Sequence, residues 1–478
     1  MHKLFVSVVL LTMFLLCFAA FKNNDNPYKN ATDDFIIDTL AKGLTVPWAM
    51  VFIDKNTMLF NERNGKVRML RNDKLVAKPL LNISQIDTTK KMGLLGICIH
   101  PSFNKNKWVY IAYNYNKDKL AKLKVVRYRF STDTLVDPFV IIDNINGNVN
   151  HSGCRLKFGL DSKLYITTGD ADRPILAQDL KSLNGKILRV NDDGSVPADN
   201  PFVKNDTARK EIWTYGHRNS QGIAFQLSTG QLFNSEHGPS GGDEVNIIKK
   251  GLNYGWPIIH HDQKKDSMVS PLIEMTPSVG PAEAIFYDGD AFKDLKGSLL
   301  VAFLRGESIM CVQLEKNEVV HQKKILQNSY GRIRALAVNE EGFIYFSTSQ
   351  NDPPEGKPKE GYDMILRMRP LKNGKNIYDK VDINNAIKKT ATKITDENTY
   401  SDLCSSCHGK NLEGTERVKT MLDSKWKYGG EKQQIMKSIR NGIIEKGMPA
   451  WEGTLTEKEI ENLSAFIILR NGREINKK

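Results

Sequence analysis

Six short apolar, strand-like runs recur between Asp34 and Pro370, at residues 57–60, 108–113, 164–168, 231–233, 298–303 and 343–347, each bounded by Gly, Asn or Asp turns. A second apolar run often follows a turn, as after Asn64-Gly65 and after Asn184-Gly185. Long helical periodicity is absent over this stretch, so an all-β array is predicted. Dividing residues 34–370 by six gives about 56 residues per unit, the size of a four-stranded propeller blade with long loops. A pair of sandwiches has no need of six similar units. The pattern therefore predicts a six-bladed β-propeller over residues 34–370.

Composition excludes two classes. Apolar residues make up 40% of the 478, charged residues 26%, and the mean hydropathy is −0.41, values foreign to a polytopic membrane protein or a disordered chain. The formal charge of +13 comes from 68 Lys+Arg against 55 Asp+Glu, mixed in sign along the chain with no long basic run. That is a solvated surface, and no nucleic-acid partner is expected. His2 and Lys3 precede an almost unbroken apolar run over residues 4–21, and Lys22-Asn23-Asn24-Asp25 follows. These are the parts of a secretory signal over residues 1–19, with cleavage after Ala19. An exported, periplasmic protein is expected, and an uncleaved N-terminus is its one route to membrane anchoring. Bulky Leu16 disfavours lipid attachment at Cys17. Cys98, Cys154 and Cys311 sit in apolar stretches; two of them could pair in an exported protein, but nothing in the sequence brings them together and they read as buried hydrophobes.

Residues 371–393 are Lys- and Asn-rich and read as a linker, after which residues 394–478 turn helical. Thr395-Asp396-Glu397 and the capping box Thr456-Glu457-Lys458-Glu459 predict helix starts. Ile435, Met436, Ile439 and Ile443 recur at helical spacing, as do Ile460, Leu463, Phe466 and Ile467. Cys404-Ser405-Ser406-Cys407-His408 is C-x-x-C-H: two thiols for covalent haem c attachment and an adjacent imidazole for the iron. Met448, on the bend Gly447-Met448-Pro449, is the expected second axial ligand, with Met421 and Met436 as rivals. A redox C-x-x-C or half a zinc site would use the same thiols, but zinc wants two further ligands and no other histidine follows His321. Residues 398–471 resemble a small, all-α class I cytochrome c domain.

Polar residues concentrate in three loops of the propeller: His151 to Gly159 with Thr167-Thr168-Gly169-Asp170, residues 215–222, and residues 235–244. A His with an Asp partner is a general base held in one tautomer. Arginines at a channel mouth hold a polyanion or polarise an oxyanion. Carbonyls of a Gly-Pro turn with acids nearby suit a hard cation such as calcium. Singly, each also reads as a capped buried His, an Arg tying two blades, or a glycine-rich turn.

Together these stretches resemble the soluble PQQ-dependent sugar dehydrogenases, the glucose/sorbosone and aldose sugar dehydrogenase family of six-bladed propellers. The resemblance runs from Phe35 to Arg369. It includes Pro47-Trp48-Ala49-Met50, Gly93-Leu94-Leu95-Gly96, His100-Pro101 and Gly251-Leu252-Asn253-Tyr254-Gly255-Trp256-Pro257. Carried over by position, it implies His151 as the base taking the sugar C1 hydroxyl proton, with Asp170 orienting it. Arg218 and Asn219 would stand beside the reacting carbonyl of PQQ, with His237 and Asp243 at polar positions around it. The carbonyls of Gly238 and Pro239 would bind Ca2+. Arg332 and Arg334 would hold the PQQ carboxylates, Arg305 would stand where the family commonly has Lys, and Ser278 would supply a hydroxyl contact. Lys91 replaces a usual Gln, Met92 a small residue, and Ser240 a frequent Arg.

The expected function is an exported quinoprotein that oxidises aldose sugars at C1. Electrons would pass to its own haem c and on to a downstream electron-transfer protein or respiratory chain. The competing reading, motivated by Lys91 and Met92, is a carbohydrate- or protein-binding propeller that has lost PQQ, tethered to a cytochrome. A Ca2+-dependent propeller hydrolase is a third.

Overall fold

The computed structural model describes residues 35–89, 91–350, 363–371, 400, 403–409, 411–414, 420–422, 426–443, 448, 450–451, 455 and 457–471, excepting the side chains of Ser406 and Cys407. The predicted signal, the linker beyond Leu371 and the helix start at Thr395 lie outside the described residues.

The chain forms the predicted six-bladed propeller. Blade 1 holds strands Pro47–Asp54, Thr57–Glu62, Lys66–Arg71 and Lys74–Leu75, with Leu81–Asn82 added to the third. Blade 2 holds Leu94–Ile99, Trp108–Lys117, Leu120–Ser131 and Thr134–Asn146. Blade 3 holds Leu156–Phe158, Leu164–Thr168, Lys186–Val190 and Ile212–Tyr215. Blade 4 holds Ser220–Phe225, Leu232–Glu236, Asp243–Ile248 and Ile273–Met275. Blade 5 holds Pro281–Phe286, Leu299–Phe303, Ser308–Glu315 and Glu318–Ile325. Blade 6 takes Ile333–Val338, Ile344–Thr348 and Ile365–Pro370 from the end of the repeat and Phe35–Ala41 from its beginning. The first strand of each blade packs on that of the next, and that of blade 6 on that of blade 1, which closes the ring.

Each of the six runs that stand out in the sequence falls in the second strand of its blade. That strand is hydrogen-bonded on both edges and covered on both faces, so Thr57–Glu62, Leu164–Thr168, Leu232–Glu236, Leu299–Phe303 and Ile344–Thr348 are buried at every residue. A strand covered on both faces loses alternation and reads as a continuous apolar run. Cys98, Cys154 and Cys311 are unpaired and buried among these strands, and burial pushes all three thiols up, Cys311 to about 12.

The C-terminal segment carries helices Ser405–His408, Lys432–Asn441 and Glu457–Arg470. Glu431 and Gln434 form a capping box at the second. Ile435, Met436 and Ile439 pack with Ile460, Leu463 and Ile467 in one small core. Ile443 falls past the end of its helix and instead pairs with Met448, N–H to O=C in both directions at 2.9 and 3.2 Å.

Ring closure places Asp38 opposite Arg367 in the pairing of Phe35–Ala41 with Ile365–Pro370. Its carboxylate accepts from Arg369 Nε at 2.7 Å and Arg367 Nη2 at 2.8 Å. Burial works to raise the Asp38 pKa, but the hydrogen bonds from Arg369 and Arg367 outweigh it and leave the carboxyl below its ordinary 3.8. The unfolded chain thus holds this proton more tightly, and the stabilisation is present above pH 3.8 and lost as pH falls through the lower folded value. Asp38→Ala is expected to cost about 1.5–3 kcal/mol at neutral pH in urea unfolding, with the difference from the parent chain shrinking as the pH is lowered below 3.8.

Candidate functional site

His151 stands just before the inner strand of blade 3 and Asp170 just after its second strand, so the two meet at one end of the channel. His151 Nδ1 lies 2.7 Å from Asp170 Oδ1. Asp170 is wholly buried; its Oδ1 also accepts the Asp172 N–H at 2.8 Å and its Oδ2 the Trp256 Nε1–H at 2.8 Å. The His151 side chain is 17% exposed and lines the cavity. With Nδ1 committed to a carboxylate, Nε2 is the nitrogen free to accept a proton. Asp172 Oδ1 approaches the same imidazole at 3.7 Å.

The backbone holds this dyad tightly. His151 has φ of 50°, and the Ala171 N–H donates to its carbonyl at 3.2 Å. A Cβ on Gly169 would lie 1.9 Å from the His151 carbonyl oxygen, so only glycine admits this approach.

Cations surround the dyad. Arg218 donates through Nη1 to the His237 carbonyl at 3.1 Å, leaving its buried Nε without a partner. Arg332 Nε and His237 Nε2 are likewise buried and unpartnered. Arg334 donates from Nη1 to Gln221 Oε1 at 3.0 Å and from Nε to the Ser349 hydroxyl at 3.3 Å. Burial lowers the pKa of Arg218; burial and the Arg305 charge bring Arg332 down to about 10. Burial, then Arg332 and Arg63, hold Arg334 well below its usual range, and burial with Arg218 and Arg334 keeps His237 neutral at pH 7. Orphaned donors beside a cluster of buried guanidinium groups together describe a cradle for a polyanion.

Asn219, Ser278, Arg305 and Lys91 also line the cavity. Lys91 is exposed at the rim, 3.3 Å from Asn150 Oδ1, whereas Met92 is 3% exposed and points into the core. Asp243 is buried behind the wall: Oδ1 accepts the Gly238 N–H at 2.9 Å, and Oδ2 accepts the Ser278 hydroxyl and the Val279 and Gly280 N–H groups at 2.7–2.8 Å. Its work is to pin the turn carrying Gly238 and Pro239 to the loop before blade 5. A Cβ on Gly238 would lie 1.9 Å from the Gly242 carbonyl, so the turn is very tight. Among the described residues no N–H donates to the carbonyls of Gly238 or Pro239, which leaves both oxygens available to a hard cation.

The cavity, about 850 Å³, continues from this mouth into the C-terminal domain, where Cys404, His408, Met421 and Met448 line it. Met436 is in the helical core instead. His408 Nδ1 is buried without a partner. The Cys407 side chain lies outside the described residues.

Three contributors carried no assigned role in the sequence reading. Trp48 lines the cavity between two guanidinium groups, Arg155 at 4.2 Å and Arg334 at 5.5 Å from its ring centroid. Gln221 holds Arg334, and Trp256 holds Asp170. Both tryptophans stand in the motifs that carry the resemblance, but partners on other blades, far away in sequence, leave no local pattern. Gly169→Ala is expected to destabilise the propeller by about 1–3 kcal/mol in thermal unfolding, and to abolish the low-field proton resonance of the His151–Asp170 hydrogen bond.

Comparison with known proteins agrees with this architecture. Residues 44–355 match the glucose/sorbosone dehydrogenase family, and residues 395–467 match cytochrome c oxidase, cbb3-type, subunit III. The aldose sugar dehydrogenase YliI of Escherichia coli (strain K12) is 31% identical over 334 residues, covering 66% of this chain and 90% of that protein. The PQQ-bound form of aldose sugar dehydrogenase from Streptomyces coelicolor superposes with a TM-score of 0.63 at 28% identity, covering 70% of this chain and 98% of that one. The cbb3-type cytochrome c oxidase subunit FixP of Azorhizobium caulinodans is 37% identical over 68 residues, 13% of this chain and 22% of that protein. With a His–Asp pair and buried arginines at the cavity mouth and a propeller matched along nearly its full length, the chain belongs to the glucose/sorbosone dehydrogenase family and joins that sugar dehydrogenase domain to a C-terminal cytochrome c domain.

Proposed function

We propose that this protein is an exported quinoprotein that oxidises an aldose at C1 to the lactone and delivers the electrons to its own haem c. The observation that carries the reading is the convergence of the His151–Asp170 dyad with unpartnered buried nitrogens of Arg218, Arg332 and His237 in one cavity. PQQ is a tricarboxylate, and Arg332 and Arg334 would hold its carboxylates, with Arg218 and Asn219 beside its reacting carbonyl. The Gly238 and Pro239 carbonyls would hold Ca2+, a Lewis acid toward the quinone oxygens. When bound, PQQ supplies a two-electron acceptor for hydride.

The chain's own residues account for the rest. His151 Nε2 accepts the C1 hydroxyl proton as the C1 hydride departs, leaving a C1=O double bond and the lactone. Asp170 stabilises the resulting imidazolium, and its burial keeps that interaction strong. In the C-terminal domain Cys404 and Cys407 would hold the haem covalently, and His408 and Met448 would hold its iron. A thioether ligand raises the haem potential and suits an acceptor. The cavity shared by both domains supports transfer within one chain. The secretory signal over residues 1–19 supports a periplasmic location, and the likeness to a cbb3-type subunit supports a respiratory-chain acceptor downstream.

The PQQ-less binding module loses part of its support. Met92 is a core residue, and Lys91 at the rim adds a cation where a polyanion would enter.

The test is a visible spectrum of haem-loaded, oxidised protein given PQQ and Ca2+, then a panel of aldoses. The reduced c-type α-band is expected to grow only with PQQ present, and His151→Ala is expected to slow it by at least about a hundredfold. Haem reduced by dithionite but by no sugar, with an artificial dye also silent, would establish the binding module instead.

A further inference from the structure

Asp170 has two oxygens, and the dyad uses one. The other accepts the Trp256 indole N–H at 2.8 Å, from the loop between the last two strands of blade 4. Trp256 is itself fixed at both main-chain groups. Its N–H donates to the Gly216 carbonyl at 2.9 Å, and its carbonyl accepts from Gln178 Nε2 at 2.6 Å. Gln178 and Asn253 exchange amide hydrogen bonds at 2.8 and 3.0 Å, and Asn253 Oδ1 caps the Gly255 N–H at 2.9 Å. The segment carrying Asp170 and the segment carrying Trp256 are thereby tied together across the blade 3–blade 4 boundary. The indole face also lies 5.3 Å from the Arg218 guanidinium carbon. Trp256 stands behind the dyad rather than in the cavity wall.

We propose that Trp256 is a positioning residue for the reaction: its indole N–H fixes the rotation of the Asp170 carboxylate so that Oδ1 meets His151 Nδ1, while its ring steadies Arg218. The assignment of a catalytic consequence rests on the reading of His151 as proton acceptor; the geometric consequence does not. The physical need is specific. A fully buried carboxylate turning about its Cβ–Cγ bond would carry Oδ1 away from the imidazole, and the Asp172 N–H restrains that same oxygen alone. A donor on Oδ2 makes the carboxylate two-point fixed. Asp172 and His237 are the other titratable groups near His151, and in this structure the donor that reaches Asp170 Oδ2 is the Trp256 indole.

Trp256→Phe separates the roles, since it keeps the ring beside Arg218 and removes only the donor. In the chain without added PQQ, Trp256→Phe is expected to shift or broaden away the low-field His151 Nδ1–H resonance, in a protein that still unfolds in one cooperative transition at a somewhat lower temperature. In the PQQ- and Ca2+-loaded protein it is expected to lower kcat about tenfold to a hundredfold with little change in KM for the sugar. Combined with Asp170→Asn it should cost nothing further, because it acts through that carboxylate. A Trp256→Phe protein with the parent resonance and the parent kcat overturns the proposal, and so do losses that add to those of Asp170→Asn. If Trp256→Phe does not fold, the indole N–H of the parent chain is read instead. It is expected to be protected from exchange and to lose that protection in Asp170→Asn; an N–H unaffected by that change overturns the proposal. Should the parent chain itself oxidise no sugar, the functional reading fails, while the proton resonances still decide the geometry.

Discussion

One antiparallel pairing closes the molecule: Phe35–Ala41 completes the blade whose other strands lie at the far end of the repeat, pairing with Ile365–Pro370. Six sheets whose first strands pack on one another have no free radial edge once this contact is made, and the channel end acquires a fixed diameter. Asp38, clamped by Arg367 and Arg369, puts a charged tie across the same seam. Everything at the mouth depends on that diameter, because the cavity lining is assembled from side chains of several blades, from Trp48 in blade 1 to Arg334 in blade 6.

The mouth is electrostatically unfinished in the protein by itself. Arg218, Arg332, Arg334 and His237 all have their pKa values lowered by burial, and the neighbouring cations lower Arg332, Arg334 and His237 further. Folding alone does not favour such a collection, and natural chains retain it where a ligand supplies the missing charge. Asp170 and Asp243 show the contrasting pattern, each with its oxygens matched to donors. Two buried acids thus act as fixed anchors, one for His151 and one for the Gly238 turn, while buried nitrogens of Arg218, Arg332 and His237 have no partner.

Much of the fold was legible from local pattern. Second strands such as Leu164–Thr168 and Leu299–Phe303 are buried on both faces and announce themselves as apolar runs. Outer strands were quieter: Glu318–Ile325 alternates exposed with half-buried residues, and Phe35–Ala41 is mostly half-buried, so neither has a strong signature. His151, Asp170, Arg218 and the C-x-x-C-H motif were legible through residue type and family pattern. Asp243 was legible as a polar position, but not as a buried tie behind the wall. Trp48, Gln221 and Trp256 were present in recognisable motifs with no assigned work.

The sequence by itself determined the repeat, the change to helix near the C-terminus, the C-x-x-C-H motif and the identities of the polar side chains in the loops, since each depends on residues close together in the chain. Only the tertiary structure decided which groups meet: that Trp256 reaches Asp170 across 86 positions of sequence, that Arg334 reaches Gln221 across 113, and that one cavity joins the two domains. The reason is physical. A side chain's hydrogen-bond partner is chosen by closure of the ring and the resulting proximity of loops from different blades, and neither is encoded in spacing along the chain.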